Sequence, residues 1–168
     1  VMPKLLFTEG GSQFDIYAVR SAGIDPATGQ EIFIKKDGTY TYKYDEDDRV
    51  AVGNSNPVLN GSWINTLRYK GFTLSLTTSY TFGADFYNTT LQSKVENIDP
   101  YKNVDARAYT ERWKNPGDLV RFLAINTVNN QMVNSERFVE RRNEIYVSNV
   151  QFTYDFQTKW LNKIGMKR

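Results

Sequence analysis

The sequence predicts an all-β fold of long antiparallel strands, each with one apolar and one polar face. From Phe72 to Phe82, large apolar residues and Thr78 alternate with Thr and Ser, which is the period of a strand. The run from Tyr146 to Phe156 repeats this alternation, with aromatic residues on one side. At about 3.3 Å per residue and a tilt near 45°, an eleven-residue strand covers about 25 Å of membrane thickness. The pattern favours strands of a transmembrane β-barrel, and a half-buried strand of a soluble sandwich stays open as the alternative.

Composition excludes several function classes. The 168 residues include no Cys and no His, which removes disulfides, thiolate nucleophiles, His-based triads and the usual zinc sites, so we expect no cofactor. The net charge of +2 comes from interspersed charges without a basic stripe, so we expect no nucleic-acid partner. Aromatic residues make up 14% of a chain whose mean hydropathy is −0.56, as expected for strands whose two faces meet different solvents.

The first third of the chain predicts one strand, a turn and a short hairpin. Phe14–Ile24 reads as a strand that enters a turn at Asp25–Gly29, where Pro and Gly set the backbone. Glu31–Lys35 and Thr39–Lys43 flank an Asp-Gly pair that suits a type I′ turn. These two strands are too short and polar to span a bilayer, so we assign them to a loop.

Two stretches then predict loop rather than strand. Asp45–Asp48 is acidic, but Arg49 and Val50 stand where a calcium loop needs an oxygen ligand and a Gly, which favours a solvated acidic loop. Val52–Gly61 is rich in turn-forming residues throughout.

A two-residue turn at Lys70–Gly71 predicts the register of a long hairpin. The apolar faces of its two strands then coincide, apart from Asn65 on the apolar side and Ile64 on the polar side. The predicted pairs are Tyr69 with Phe72, Leu67 with Leu74, Asn65 with Leu76 and Trp63 with Thr78.

The part after this hairpin predicts a long loop and one further strand. Tyr87–Asn97 has a weak helical pattern, and Pro100 and Pro116 interrupt any long element up to Gln131. Because outer-membrane barrels have long outer loops and short periplasmic turns, we expect Asp25–Asn60 and Gly83–Arg137 to be extracellular. We expect the Lys70–Gly71 turn and the turn after Phe156 to be periplasmic. The second turn contains Trp160, Leu161 and Ile164.

Several segments, in order, resemble one family. They are AGIDPATG (Ala22–Gly29), GNSNP (Gly53–Pro57), YKGFTLS (Tyr69–Ser75), YTFG (Tyr80–Gly83), RWKNPGD (Arg112–Asp118), RFVE (Arg137–Glu140) and the end from Asn149 through Asp155–Phe156 to Trp160–Gly165. With this set the chain resembles the C-terminal part of the barrel of SusC/RagA-type TonB-dependent outer-membrane transporters.

The resemblance implies that residues 1–168 are part of a barrel domain of roughly 22 strands, of which this chain supplies about four. The plug and the remaining strands would be absent from this chain. The implied function is nutrient import across the outer membrane of a Gram-negative bacterium, without enzymatic activity. The implied partners are the rest of the same barrel with its plug, a SusD-type surface lipoprotein that acts as a lid, the TonB complex through a segment not present here, outer-membrane lipid, and an oligosaccharide or peptide substrate.

Alternation along the strands assigns residues to the two solvents. We expect eleven side chains to face lipid: Trp63, Leu67, Tyr69, Phe72, Leu74, Leu76, Tyr80, Phe82, Val150, Phe152 and Tyr154. We expect eight side chains to face the lumen: Arg68, Thr73, Ser75, Thr77, Ser79, Asn149, Gln151 and Thr153.

Loop residues give weaker predictions. Arg112, Trp113 and Asp118 are candidates for contact with ligand or lid, and the alternative for Trp113 is that it packs its own loop against Pro116. Three arginines near the outer rim, Arg137, Arg141 and Arg142, could bind lipopolysaccharide phosphates or form a solvated rim.

Two other classes of protein stay open from the sequence. A secreted carbohydrate-binding β-sandwich would explain the aromatic strands and Asn-rich loops. A hydrolase would need a pair of carboxylates, and no spaced motif singles out such a pair.

Overall fold

A computed structural model describes residues 9–99, 101–125 and 133–156, and these ranges are all-β with short helical turns. The seven strands in them are β1 (Asp15–Ile24), β2 (Glu31–Ile34), β3 (Tyr40–Thr41), β4 (Arg49–Asn54), β5 (Leu59–Tyr69), β6 (Phe72–Tyr87) and β7 (Val139–Tyr154). The helical segments are α1 (Thr89–Leu91), a π-helix (Gln92–Glu96), α2 (Arg107–Thr110) and two 3₁₀ turns, Glu46–Asp48 and Glu136–Phe138. No helix within the described ranges is long and apolar enough to cross a membrane.

The chain divides into two compact units. The first unit comprises residues 1–56 and 85–141, and the second comprises residues 57–84 and 142–168. The predicted turn residues Trp160, Leu161 and Ile164 lie outside the described residues.

The second unit contains the antiparallel sheet β5-β6-β7. Lys70 and Gly71 both have positive φ, 45° and 88°, which is the backbone of a type I′ turn. Eleven consecutive residue pairs join β5 to β6, from Tyr69 with Phe72 to Leu59 with Phe82. The predicted turn and all four predicted pairs are therefore confirmed.

The first unit contains a four-stranded sheet in the order β3-β2-β1-β4. The predicted strand Phe14–Ile24 is confirmed as β1, which pairs with β2 at one end and β4 at the other. The Asp25–Gly29 turn is also confirmed, since the Gly29 amide donates to the Asp25 carbonyl at 2.8 Å.

Three element predictions are wrong in detail. Gly38 has φ 87° but Asp37 has no positive φ, so the β2–β3 loop is not a type I′ turn. Val52–Gly61 is not a turn throughout, because its two ends continue β4 and begin β5. The predicted loop Gly83–Arg137 starts too early, because β6 continues through Gly83 to Tyr87.

The predicted number of strands also changes. The four long predicted strands correspond to β1, β5, β6 and β7, and the two strands of the predicted short hairpin correspond to β2 and β3. The structure adds β4, which the sequence did not predict. β7 begins at Val139, well before the predicted Tyr146, because its polar first half carries no aromatic alternation.

A small core holds the helical part of the first unit together. Leu91, Val95, Ala108, Phe122 and Phe138 are buried against one another. We call residues 88–125 with 133–138 the loop cluster.

Candidate membrane face and loop cluster

One face of the β5-β6-β7 sheet is apolar. Directly paired residues share a face, so Leu67 and Leu74 lie beside each other, as do Tyr69 and Phe72. Trp63 and Leu67 remain 64% and 63% exposed. All predicted lipid-facing residues of β5 and β6 lie on this face.

Aromatic rings join β7 to this face near the Lys70–Gly71 turn. The ring of Phe72 lies 4.4 Å from that of Tyr154 and 5.6 Å from that of Phe152, measured between centroids. The Asp155 amide donates to the Gly71 carbonyl at 2.8 Å. Phe152 and Tyr154 therefore meet the apolar face where the strands turn.

The opposite face of β5 and β6 consists mainly of hydroxyl groups. Thr73, Ser75, Thr77 and Ser79 alternate along β6, and the hydroxyls of Thr66 and Ser75 are 3.4 Å apart. Arg68 pairs with Thr73 in the register and forms no ion pair with any described residue. The predicted lumen-facing residues of β5 and β6 all lie here, and that this face meets a lumen stays a prediction.

Ser148 makes a contact that simple alternation does not predict. Its hydroxyl lies 3.1 Å from the Ser79 hydroxyl, which donates to it, and it donates to the Thr77 carbonyl at 3.2 Å. These bonds connect the middle of β7 to β6. Val150, Asn149, Gln151 and Thr153 follow in the exposed half of β7.

Arg112 lies inside the loop cluster, where only 4% of it is exposed. Its guanidinium donates to four backbone carbonyls: Ala108 at 2.9 Å, Leu123 at 3.0 Å, Val95 at 2.6 Å and Glu96 at 2.7 Å. Burial lowers its pKa. Arg112 thus caps the last carbonyl groups of the π-helix and connects this helix to α2 and to the segment after Phe122.

Trp113 connects the loop that follows Arg112 to the β1–β2 turn. Its indole nitrogen donates to the Pro26 carbonyl at 2.8 Å, and the Gly117 amide donates to the same oxygen at 2.8 Å. A Cβ on Gly29 would lie 2.5 Å from the Trp113 ring. The AGIDPATG and RWKNPGD segments therefore form one docked pair of loops.

Asp118 shapes its own turn. Its carboxylate accepts from the backbone amides of Asn115, at 2.9 Å, and Lys114, at 3.1 Å. These two hydrogen bonds lower its pKa. Arg112, Trp113 and Asp118 all have internal partners, which favours a structural role, and contact with ligand or lid stays a prediction.

Sequence reasoning missed a buried ion cluster. One nitrogen of Arg137 donates to Glu31, at 2.8 Å, and to Glu96, at 2.9 Å, and Ser135 donates to the other oxygen of Glu31. The Arg137 side chain is 10% exposed, so both alternatives for it, a solvated rim and contact with lipopolysaccharide phosphates, are wrong. No local pattern could reveal this cluster, because the Glu residues lie 106 and 41 residues from Arg137.

Burial shifts the pKa values of Arg137 and Glu96 in this cluster to different extents relative to their charged partners. Burial alone would lower the pKa of Arg137, but the carboxylates of Glu31 and Glu96 outweigh it and raise the pKa. Burial raises the pKa of Glu96 by more than Arg137 lowers it. Oε2 of Glu96 is buried without a hydrogen-bond partner, so ionised Glu96 is only half compensated.

The other predicted charges make local contacts. Arg142 pairs with Glu144, and Arg141 is exposed. In the acidic loop, Asp45 accepts from the Asp47 amide, while Asp48 accepts from the Lys36 amide. Within the described ranges, no group of three or more acidic residues is arranged to hold a metal ion.

Comparisons with known proteins agree with the motifs and the sheets. No protein-family model matches the chain. TonB-dependent receptor P39 of Formosa agariphila is 28% identical over 141 residues, which are 82% of this chain and 13% of that protein. The chain is therefore similar in sequence to part of a TonB-dependent receptor, in agreement with the resemblance of its motifs.

Solved structures support the fold of this chain. The RagAB peptide importer in its open-open state matches with a TM-score of 0.67 and 16% identity, over 88% of this chain and 16% of that one. A second structure of the RagAB peptide transporter matches with a TM-score of 0.59 and 20% identity, over 83% and 16% of the two chains. This chain thus spans a small part of each relative.

Proposed function

We propose that this chain supplies part of the wall and the outer loops of a TonB-dependent nutrient importer in the outer membrane of a Gram-negative bacterium. The observation that carries the proposal is the β5–β6 register, which sorts apolar and hydroxyl side chains to opposite faces over eleven pairs. A wall between lipid and an aqueous lumen needs this separation.

The three-stranded sheet requires further strands to work as a wall. Among the described residues, β5 and β7 each have one edge without a partner strand. An unpaired strand edge in lipid costs several kcal/mol for each unsatisfied backbone group, and barrels avoid this cost by closing. We therefore propose that other parts of the same protein complete a barrel of roughly 22 strands and add its plug.

We also propose that the first unit belongs to the outer loops of the importer. Arg112, Trp113 and Asp118 would act by holding these loops in shape, since their polar groups bind backbone atoms of the same unit. A SusD-type lipoprotein would cover the loops, and the TonB complex would act through another segment. The names of the RagAB structures support import of peptides, and oligosaccharides are the second candidate substrate.

Single cysteines placed at two adjacent positions, one in each variant, provide a direct test, because residues 1–168 contain no native Cys. Thr73→Cys and Leu74→Cys would each be made in the complete protein, spin-labelled and measured in its native outer membrane. We expect the label at position 74 to be accessible to oxygen, which concentrates in lipid. The label at position 73 should be accessible to a water-soluble nickel chelate.

The secreted β-sandwich predicts a different result. In a two-layer sandwich the larger side chains lie in a dry core, so the label at position 74 would be shielded from both relaxing agents. Shielding at 74, or an exchange of the two accessibilities, would refute the wall proposal.

A further inference from the structure

The first unit carries a surface cleft that the wall function does not use. Its volume is about 460 Å³, and its lining residues are Ala22, Ile32, Tyr40, Thr41 and Tyr42. All five come from β1, β2 and the β3 segment, so the cleft lies within a single hairpin region.

A β-bulge forms the floor of the cleft. The β1–β2 register passes from Ser21 with Phe33 to Gly23 with Ile32, which leaves Ala22 as an extra residue. Ala22 has a small side chain and is exposed. The bulge thus leaves a shallow floor of low side-chain volume.

Two tyrosines form the walls. Tyr40 in β3 and Tyr42 just after it both line the cleft, and they are 70% and 53% exposed. The Tyr42 hydroxyl donates to Asp25 at 2.9 Å, and Asp25 is itself held by the Ala27 amide and the Thr28 hydroxyl. Tyr40 makes no such hydrogen bond to the described residues. One ring is therefore fixed, and the other is free to close on a ligand.

The lining chemistry selects the class of ligand. None of the five lining residues is charged, which disfavours a site for an ion. Aromatic faces offer apolar contact, while phenol and threonine hydroxyls offer hydrogen bonds at the edge. A pyranose ring has this combination, because its C–H groups form an apolar face and its hydroxyls surround the edge.

We propose that this cleft binds one neutral pyranose residue of an oligosaccharide at the outer surface. The proposal rests on the proposed outward position of the first unit, and it adds a capture site on the receptor itself. The fixed Tyr42 ring would supply the stacking surface, with Tyr40 closing from the other side.

Saturation-transfer NMR tests this site in the complete receptor, purified in a sugar-free detergent such as an amine oxide. The probes are maltose and cellobiose. We expect saturation transfer from the receptor to the ring C–H protons of the sugars. Tyr40→Ala should lower the affinity of the receptor for these sugars about tenfold. Tyr42→Phe keeps the ring but loses the bond to Asp25, so we expect a loss of about threefold. Tyr101→Ala is the matched control, because Tyr101 is 96% exposed and lies outside the cleft. The sugar affinity of this variant should equal that of the wild type.

Two results would overturn the proposal. The first is saturation transfer to the sugars that Tyr40→Ala leaves unchanged. The second is transfer to neither sugar, together with transfer to a Phe-containing tripeptide that is lost in Tyr40→Ala. The spin-label test of the wall does not involve Tyr40, so failure of this site and failure of the wall proposal are distinguishable.

Discussion

The β5–β6 hairpin and the loop cluster are stabilised by different kinds of contact. The hairpin depends on neighbours in sequence, namely a two-residue turn and side chains paired across it. The loop cluster depends instead on buried or half-buried polar side chains. Arg112 binds backbone carbonyls, and Trp113 and Arg137 bind groups 87 and 106 residues away. This difference predicts that single substitutions damage the loop cluster more than the hairpin.

Replacing Arg112 should have the largest effect. Arg112→Met keeps much of the side-chain volume but leaves four buried carbonyl groups without their donor. Because each unsatisfied buried group costs about 1–3 kcal/mol, we expect a loss of at least about 4 kcal/mol or an unfolded cluster. Hydrogen exchange of residues 92–125 in the complete receptor measures this local stability.

Arg107→Met is the control for this change. Arg107 pairs with Asp105 at the surface, where both side chains are partly exposed, so exchange of the same amides should not change measurably. Equal protection in the two variants would contradict a dominant role for buried Arg112.

Gly29→Ala should have the next largest effect. Gly29 has φ +69°, and an added Cβ would overlap the Trp113 ring and the Ala124 side chain. Left-handed backbone costs a non-Gly residue about 1–2 kcal/mol, and the overlap would add about 1–3 kcal/mol. We expect the docked loops to separate, detected as increased exchange of the Gly117 and Ala124 amides.

Gly38→Ala separates backbone strain from steric overlap. Gly38 has φ +87° and no atom within 4 Å of its hypothetical Cβ. Its substitution should therefore lower the free energy of unfolding only by the cost of placing a non-Gly residue in the left-handed backbone conformation, about 1–2 kcal/mol. If both alanine variants lost the same stability, contact with Trp113 would not explain the effect at Gly29.

The contrast also explains what the sequence could predict. Alternation and the Lys70–Gly71 turn are local features of the sequence. The sequence therefore predicted the register of β5 and β6 at each of the four pairs it named. Arg112 binds mainly backbone carbonyls, which no side-chain pattern identifies. Arg137 and its two glutamates meet only after the whole first unit has folded. The sequence motifs therefore indicated the resemblance to TonB-dependent receptors, while the roles of their arginines required the structure.

The ion cluster predicts a pH dependence in the loop cluster alone. Burial raises the folded-state pKa of Glu96 above its ordinary value of 4.5. The contribution of protonated Glu96 to the free energy of unfolding is therefore complete below pH 4.5, and it decreases as the pH rises through the folded-state pKa. Hydrogen-exchange protection of the Glu96 region, corrected for the intrinsic pH dependence of exchange, should therefore fall as the pH rises above the ordinary range of a Glu carboxyl group.

Glu96→Gln tests this assignment, because the amide keeps an acceptor for Arg137 but cannot ionise. We expect the variant to lose the pH dependence and to match or exceed the wild type at pH 7. Glu31 and Arg112 also face this cluster. Burial is the main cause of the raised Glu96 pKa and the charge of Glu31 a smaller one, so Glu31→Gln should reduce the fall in protection without abolishing it. A pH dependence that persists in Glu96→Gln would assign the titration to another group.

The smallest expected effect lies in the hairpin turn, and it is stabilising. Lys70 adopts φ 45°, a conformation that Asn tolerates better than Lys. Lys70→Asn should therefore stabilise the turn by about 0.5 kcal/mol, although it removes the contact of the Lys70 ammonium group with the Tyr69 ring at 5.2 Å. Exchange of the Asp155 amide, which donates to Gly71 beside the turn, reports the change. A large loss of protection would mean that the Lys–Tyr contact, rather than the local backbone, determines this end of the hairpin, and the contrast with the loop cluster would fail.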